Sequence, residues 1–195
     1  TMACQNQNWQ NFRIFGDGGH YLVHHYRIFY TWQQPKSMRK LKLYLETSVW
    51  NFCFAEDAPE KQAATLQFLE RVKQEAYDIL VSDVVFREFD QAAEEKRELL
   101  YRWIADCQPT ELKISTAVVQ LADQYLVTKV LPATAEADSK HAAIATVYEL
   151  DALISWNLKH LANLKKREKI NGVNLTQGYT KKLELITPLE VINDE

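Results

Sequence analysis

From residue 38 onward, short apolar runs alternate with longer stretches whose apolar residues recur every three or four positions. Leu41-Lys42-Leu43-Tyr44-Leu45 is a strand-like run that stops at Glu46-Thr47-Ser48, where the two hydroxyl residues can cap a helix. Pro59 opens a helical pattern carrying Ala63, Leu66, Leu69 and Val72. Asp78-Ile79-Leu80-Val81 predicts a second strand, and Ser82/Asp83 can cap a helix beginning Val84-Val85-Phe86. Leu99, Leu100, Trp103 and Ile104 fall on one face of a further helix. Ser115 can cap another, with Val118, Leu121, Ala122 and Tyr125 facing inward. Residues 136–150 read as helix, 151–155 as a buried strand, 159–169 as a basic helix, and 183–186 as a last strand before Pro188. Strands alternating with helices imply an α/β domain with a mainly parallel sheet between helical layers.

Composition narrows the class. Hydrophobic residues make up 47% and charged residues 25% of 195, the balance of a globular chain, so disorder, collagen and coiled coil are excluded. No run approaches the roughly 18–20 apolar residues of a membrane span. Cys4, Cys53 and Cys107 are odd in number and far apart, which supports neither a disulfide framework nor a zinc site and makes a reducing cytoplasm the default. A net charge of −3 and a pI near 6.0 leave no polybasic surface, so any nucleic-acid contact must be local.

Residues 1–37 differ from the rest. They hold one acid, three bases, three of the five histidines and eight aromatics. The run from Tyr21 to Tyr30 has strand-like residues and could be an added β segment. The break at Pro35-Lys36-Ser37-Met38 favours the other reading, in which Met38 is the natural start and residues 1–37 are an atypical leader of upstream sequence outside a domain spanning 38–195. No basic n-region or continuous apolar core marks it as a signal peptide. His20, His24 and His25 lack the carboxylate or cysteine spacing that would complete a metal site.

The acids carry the candidate chemistry. In an open parallel sheet, ligands bind beyond the carboxyl ends of the strands. Glu46 follows the first strand directly, Glu88 lies in the helix after the second, Asp138 starts the helix leading into the third, and Asn157 lies just past that strand. Clustered carboxylates repel one another unless a cation is present, and hard oxygen ligands select Mg²⁺ or Mn²⁺. Such a site can activate water and polarise a phosphodiester. Each residue also has a plainer role open to it: Glu46 beside a helix cap, Glu88 on a solvated face with Asp90, Glu94 and Glu95, Asp138 as an N-cap, Asn157 as a strand terminus.

At these residues the sequence resembles PIN-domain proteins, and among them the VapC-like toxin nucleases of toxin–antitoxin pairs. The resemblance is carried by Tyr44-Leu45-Glu46-Thr47-Ser48-Val49, Ser82-Asp83-Val84-Val85-Phe86-Arg87-Glu88, Asp138-Ser139-Lys140-His141-Ala142-Ala143-Ile144-Ala145 and Ile154-Ser155-Trp156-Asn157-Leu158-Lys159-His160-Leu161, in order across about residues 40–190. It implies a PIN-like three-layer α/β/α sandwich, divalent-metal-dependent endoribonuclease activity, an RNA substrate, a cognate antitoxin and a possible homodimer. It implies catalytic and metal-binding roles for Glu46, Glu88, Asp138 and Asn157. Two positions depart from the family's acids: Glu46 adds a methylene to an aspartate, and Asn157 keeps an oxygen but loses a charge. Weakened or lost activity follows from both, which leaves a PIN-like module that binds RNA or a protein without cutting as the alternative.

Lys159, His160, Lys165, Lys166, Arg167 and Lys169 follow the Asn157 strand end and can contact phosphates or form a solvated helix face. Trp156 can stack on a base, though its place beside a buried strand favours the core. Asn171-Gly172-Val173-Asn174 reads as a turn. A haloacid-dehalogenase-type phosphotransferase is excluded, because no Asp-x-Asp follows the first strand. A dinucleotide fold is excluded by the want of a glycine-rich first turn.

Overall fold

A computed structural model describes residues 39–157 and 164–193. The leader 1–37, Lys159 and His160 lie outside the described residues. Five strands, β1 (Lys42–Leu45), β2 (Asp78–Ser82), β3 (Thr110–Leu112), β4 (Ala152–Ile154) and β5 (Glu184–Ile186), form one sheet in the order β3-β2-β1-β4-β5. Every pairing is parallel, with Leu43 opposite Ile79 on one side and Ala152 on the other. All carboxyl ends therefore open on the same edge.

Helices flank the sheet: α1 (Thr47–Asn51), α2 (Pro59–Lys73), α3 (Asp83–Phe89), α4 (Glu94–Cys107), α5 (Thr116–Val127), α6 (Glu136–Val147), α7 (Leu164–Thr176) and α8 (Pro188–Asn193). They pack in two sets, α2 with α4 and α8, and α5 with α6 and α7. The inner strands read as apolar runs because both of their faces are buried. Leu43, Leu45, Val81, Leu153 and Ile154 are inaccessible to solvent or nearly so. Burying each such side chain stabilises the fold by about 1.5–3 kcal/mol.

The strands are pinned at their starts as well. The Asp151 carboxylate accepts the backbone N–H of Lys42 at 2.8 Å and pairs with Arg39 and Lys181, each at 2.8 Å. The Arg39 hydrogen bond, seconded by Lys181, holds this carboxyl well below the ordinary range.

Several local expectations are corrected. The sequence reading omits β3, whose Thr110-Glu111-Leu112 has only one apolar residue and sits at a sheet edge. On α2 the buried face is Ala64, Thr65, Phe68, Leu69 and Val72, leaving Ala63 and Leu66 exposed. On α4 only Leu100 is fully buried, and Leu99 faces solvent. Asn171-Gly172-Val173-Asn174 is not a turn but lies inside α7. Its amides are satisfied by other elements: Asn171 pairs both ways with the Leu183 backbone, and Asn174 accepts from the Tyr125 hydroxyl and donates to Thr146. Asn171 also donates back to the Arg167 carbonyl one turn earlier at 3.1 Å.

Helix ends show one repeated device. Glu75, Gln108, Lys129 and Glu149 follow α2, α4, α5 and α6 in the left-handed conformation, with φ of 58°, 48°, 56° and 51°. The chain uses ordinary residues where glycine is the usual choice.

Candidate functional site

The carboxyl ends of β1, β2 and β4 carry two groups of hydrogen-bonded polar side chains. Glu46 leaves β1 with its backbone N–H still paired to the Ile154 carbonyl at 3.2 Å. Its side chain is buried and accepts from the Ser48 hydroxyl, whose oxygen in turn accepts the Trp156 N–H at 2.8 Å. Burial pushes the Glu46 carboxyl up, against the lowering influence of His141, Ser48 and Ser155.

Glu88, on α3, is reached from two sides. The Thr47 hydroxyl donates to its Oε2 at 2.5 Å, and His141 Nε2 lies 2.9 Å from the same oxygen. Burial alone would raise this carboxyl, but the His141 hydrogen bond and charge, with Thr47, hold it below the ordinary value. His141 Nδ1 is 2.7 Å from the Tyr44 hydroxyl, which is 2.7 Å from Ser82 Oγ. Tyr44, Ser82 and His141 are all buried. Ser82 also caps α3 by accepting the Val84 N–H at 3.3 Å.

Asp138 lies in the first turn of α6, whose N-cap is Ala135 rather than Asp138 itself. Its Oδ1 accepts from the Asn157 amide at 2.9 Å, and the Asn157 N–H donates to Ser155 Oγ at 2.8 Å. Asn157 is thus more than a strand terminus. Glu88 likewise is no solvated helix residue, and the Glu46 side chain caps no helix. Thr47 and Ser48 cap nothing either, since their hydroxyls go to the carboxylates.

The four positions singled out in the sequence therefore stand on one edge in two hydrogen-bonded groups, Glu46 with Ser48 and Ser155 and through Ser155 with Asn157 and Asp138, and Glu88 with Thr47 and His141. Sequence reasoning missed the donors. His141 had a legible signal: three residues after Asp138, it shares that residue's helix face. Tyr44 was legible too, as the one polar-tipped side chain among the apolar residues of β1.

A divalent ion suits the oxygen chemistry of this donor set but not its arrangement. Among the described residues no three carboxylate, imidazole or thiolate side chains converge to hold a metal ion. Of the basic residues, Lys165 is exposed, Lys166 donates to the Val130 carbonyl at 2.7 Å, and Arg167 pairs with Glu184 at 3.0 Å. Trp156 is buried, its indole N–H donating to Thr65 at 2.8 Å. Lys61 rests its ammonium 5.5 Å from the Trp156 ring and 5.1 Å from that of Phe52.

No family model matches the sequence, and no curated protein does. Among solved structures, the chain is similar to one in the crystal structure of VapBC2 from Rickettsia felis bound to a DNA fragment from their promoter. The TM-score is 0.50 at 13% identity, covering 75% of this chain and 98% of that chain. The likeness is one of fold: a five-stranded, all-parallel sheet flanked by helices, as in PIN-like proteins. Within the described residues no helix is long and apolar enough to cross a membrane.

Proposed function

We propose that this chain is the toxin-type member of a toxin–antitoxin pair and that its polar crevice acts on RNA phosphodiesters. The observation that carries the reading is that Glu46, Glu88, Asp138 and Asn157 all stand, each held by a hydrogen bond from the chain, at the carboxyl edge of a parallel sheet, where such folds present ligands. The VapBC2 likeness supports an antitoxin as protein partner. In this arrangement Glu88, kept ionised by Thr47 and His141, is the carboxylate suited to accept a proton from a water or ribose hydroxyl. Lys165 and Lys169 are exposed cations that can meet a phosphate, and Lys159 and His160 extend the same basic segment.

Incubating the purified chain with a mixed RNA pool under EDTA, Mg²⁺ and Mn²⁺ tests this. Cleavage in at least one condition, reduced at least tenfold by Glu88→Gln, is expected. Cleavage that Glu88→Gln leaves intact would belong to a contaminant and reject the reading. A second reading, RNA binding without cutting, is favoured by the Asn157 amide bonded to Asp138 where the family carries two acids. It is recognised by retention of intact RNA on the protein.

A further inference from the structure

We propose that hydrogen-bond donors of the chain, His141 and Thr47 on Glu88, Ser48 on Glu46 and Asn157 on Asp138, take the place of a divalent cation, so that these carboxylates are satisfied from within and bind Mg²⁺ or Mn²⁺ only weakly. Carboxylates gathered at a half-buried edge need a positive or hydrogen-bearing partner. Here each one finds it inside the chain. Glu88 Oε2 is occupied by Thr47 and His141, Glu46 Oε2 by Ser48, and Asp138 Oδ1 by Asn157.

The geometry around His141 is decisive. Its Nε2 lies 2.9 Å from Glu88 Oε2, and its Nδ1 lies 2.7 Å from the Tyr44 hydroxyl, which is 2.7 Å from Ser82 Oγ. Both ring nitrogens are engaged within the chain, so a metal reaching Glu88 must displace this contact. Nor is the ring free to turn away. Its far nitrogen is tied to Tyr44, both side chains are buried, and rotation would break that buried hydrogen bond. The Asn157 backbone is held beside Asp138 by its N–H on the buried Ser155 hydroxyl. Mg²⁺ needs a near-octahedral oxygen shell and gives up its waters reluctantly. To bind here it must first displace these donors.

The inference concerns the crevice itself and stands apart from whether RNA is cut there. Titrating Mn²⁺ into the full chain, with no RNA present, tests it by calorimetry and by the loss of the free-ion electron paramagnetic resonance signal. The parent is expected to show no saturable binding below about 1 mM, and the double variant His141→Ala/Asn157→Asp at least a tenfold gain in affinity. Circular dichroism establishes that the variant is folded. Should it not fold, Asn157→Asp alone carries the test, since it removes one donor and adds one carboxylate. A parent that binds one Mn²⁺ with micromolar Kd, lost in Glu88→Gln, would overturn the proposal. So would a folded variant with no gain.

Discussion

Asn157 and Asp138 are joined side chain to side chain, amide nitrogen to carboxylate oxygen at 2.9 Å, across the gap between the start of α6 and the segment leaving β4. Replacing Asn157 by aspartate turns a donor–acceptor contact into two like charges at hydrogen-bond distance. In metal-free buffer near pH 7, Asn157→Asp is expected to cost about 1–2 kcal/mol. For a domain of this size that lowers Tm by roughly 2–8 °C. Lowering the pH until one carboxyl holds a proton should recover the loss. An unchanged Tm would mean that the pair does not form in solution.

Glu46 and Glu88 make opposite predictions for pH. Burial raises the Glu46 carboxyl above its ordinary 4.5, so the folded chain holds that proton more tightly than the unfolded chain does. Its contribution to stability is therefore greatest below 4.5 and declines as pH rises through the folded value. Glu46→Gln keeps an acceptor for Ser48 without the charge. The variant should melt above the parent at pH 7, the difference vanishing near pH 4.

Glu88 is lowered, and its ionised form contributes above 4.5 and is lost as pH falls through the folded value. Glu88→Gln should melt below the parent at pH 7, with the gap closing in acid. Denaturant melts across pH 3.5–8 give both curves, and parallel ones would reject the assignment.

Trp156 belongs to the core. Trp156→Phe removes the indole N–H that reaches Thr65 and leaves a void beside Phe52. A loss of about 1–3 kcal/mol is expected, with RNA affinity unchanged. A tenfold fall in RNA affinity at constant stability would instead make the ring a base-stacking surface.

Lys129 sits in the left-handed region at φ 56° just after α5. That conformation costs an ordinary residue about 1–2 kcal/mol, of which glycine recovers most, less its greater entropy in the unfolded chain. Lys129→Gly should therefore stabilise the protein by about 0.5–1 kcal/mol in urea melts. A loss of stability would show that the lysine side chain contributes more than its backbone strain costs.

Those helix ends show why some of the fold was hidden in the sequence. Glycine is the usual mark of a helix stop, yet only Gly172 and Gly178 occur after residue 37, and Gly172 lies inside α7. The stops after α2, α4, α5 and α6 fall on glutamate, glutamine and lysine, which carry no such mark. The apolar strands β1, β2 and β4 were legible because burial on both faces demands unbroken apolar runs. At the sheet edge, β3 feels no such demand and was missed. The site divides in the same way. Its acids could be placed because they directly follow strands or open helices. The donors that answer them were missed despite the signals at Tyr44 and His141, since a tyrosine in a strand, a serine before a helix and a histidine among alanines each also read as ordinary structure.

The strand order also carries a consequence for synthesis on the ribosome. β1 is the middle of the sheet, and one of its two neighbours is β4, more than a hundred residues later in the chain. Once β2 has emerged, one flank of β1 is sealed, while the other waits for roughly 70 more residues. At ordinary elongation rates that is about 4–14 seconds. During this interval Leu43, Tyr44 and Leu45 present open backbone groups and apolar side chains to whatever is nearby. The nascent chain is thus most vulnerable to mispairing, and most in need of a chaperone, before β4 reaches the ribosome exit. Slowing translation between residues 83 and 152 should lower soluble yield, and slowing it after residue 186 should not.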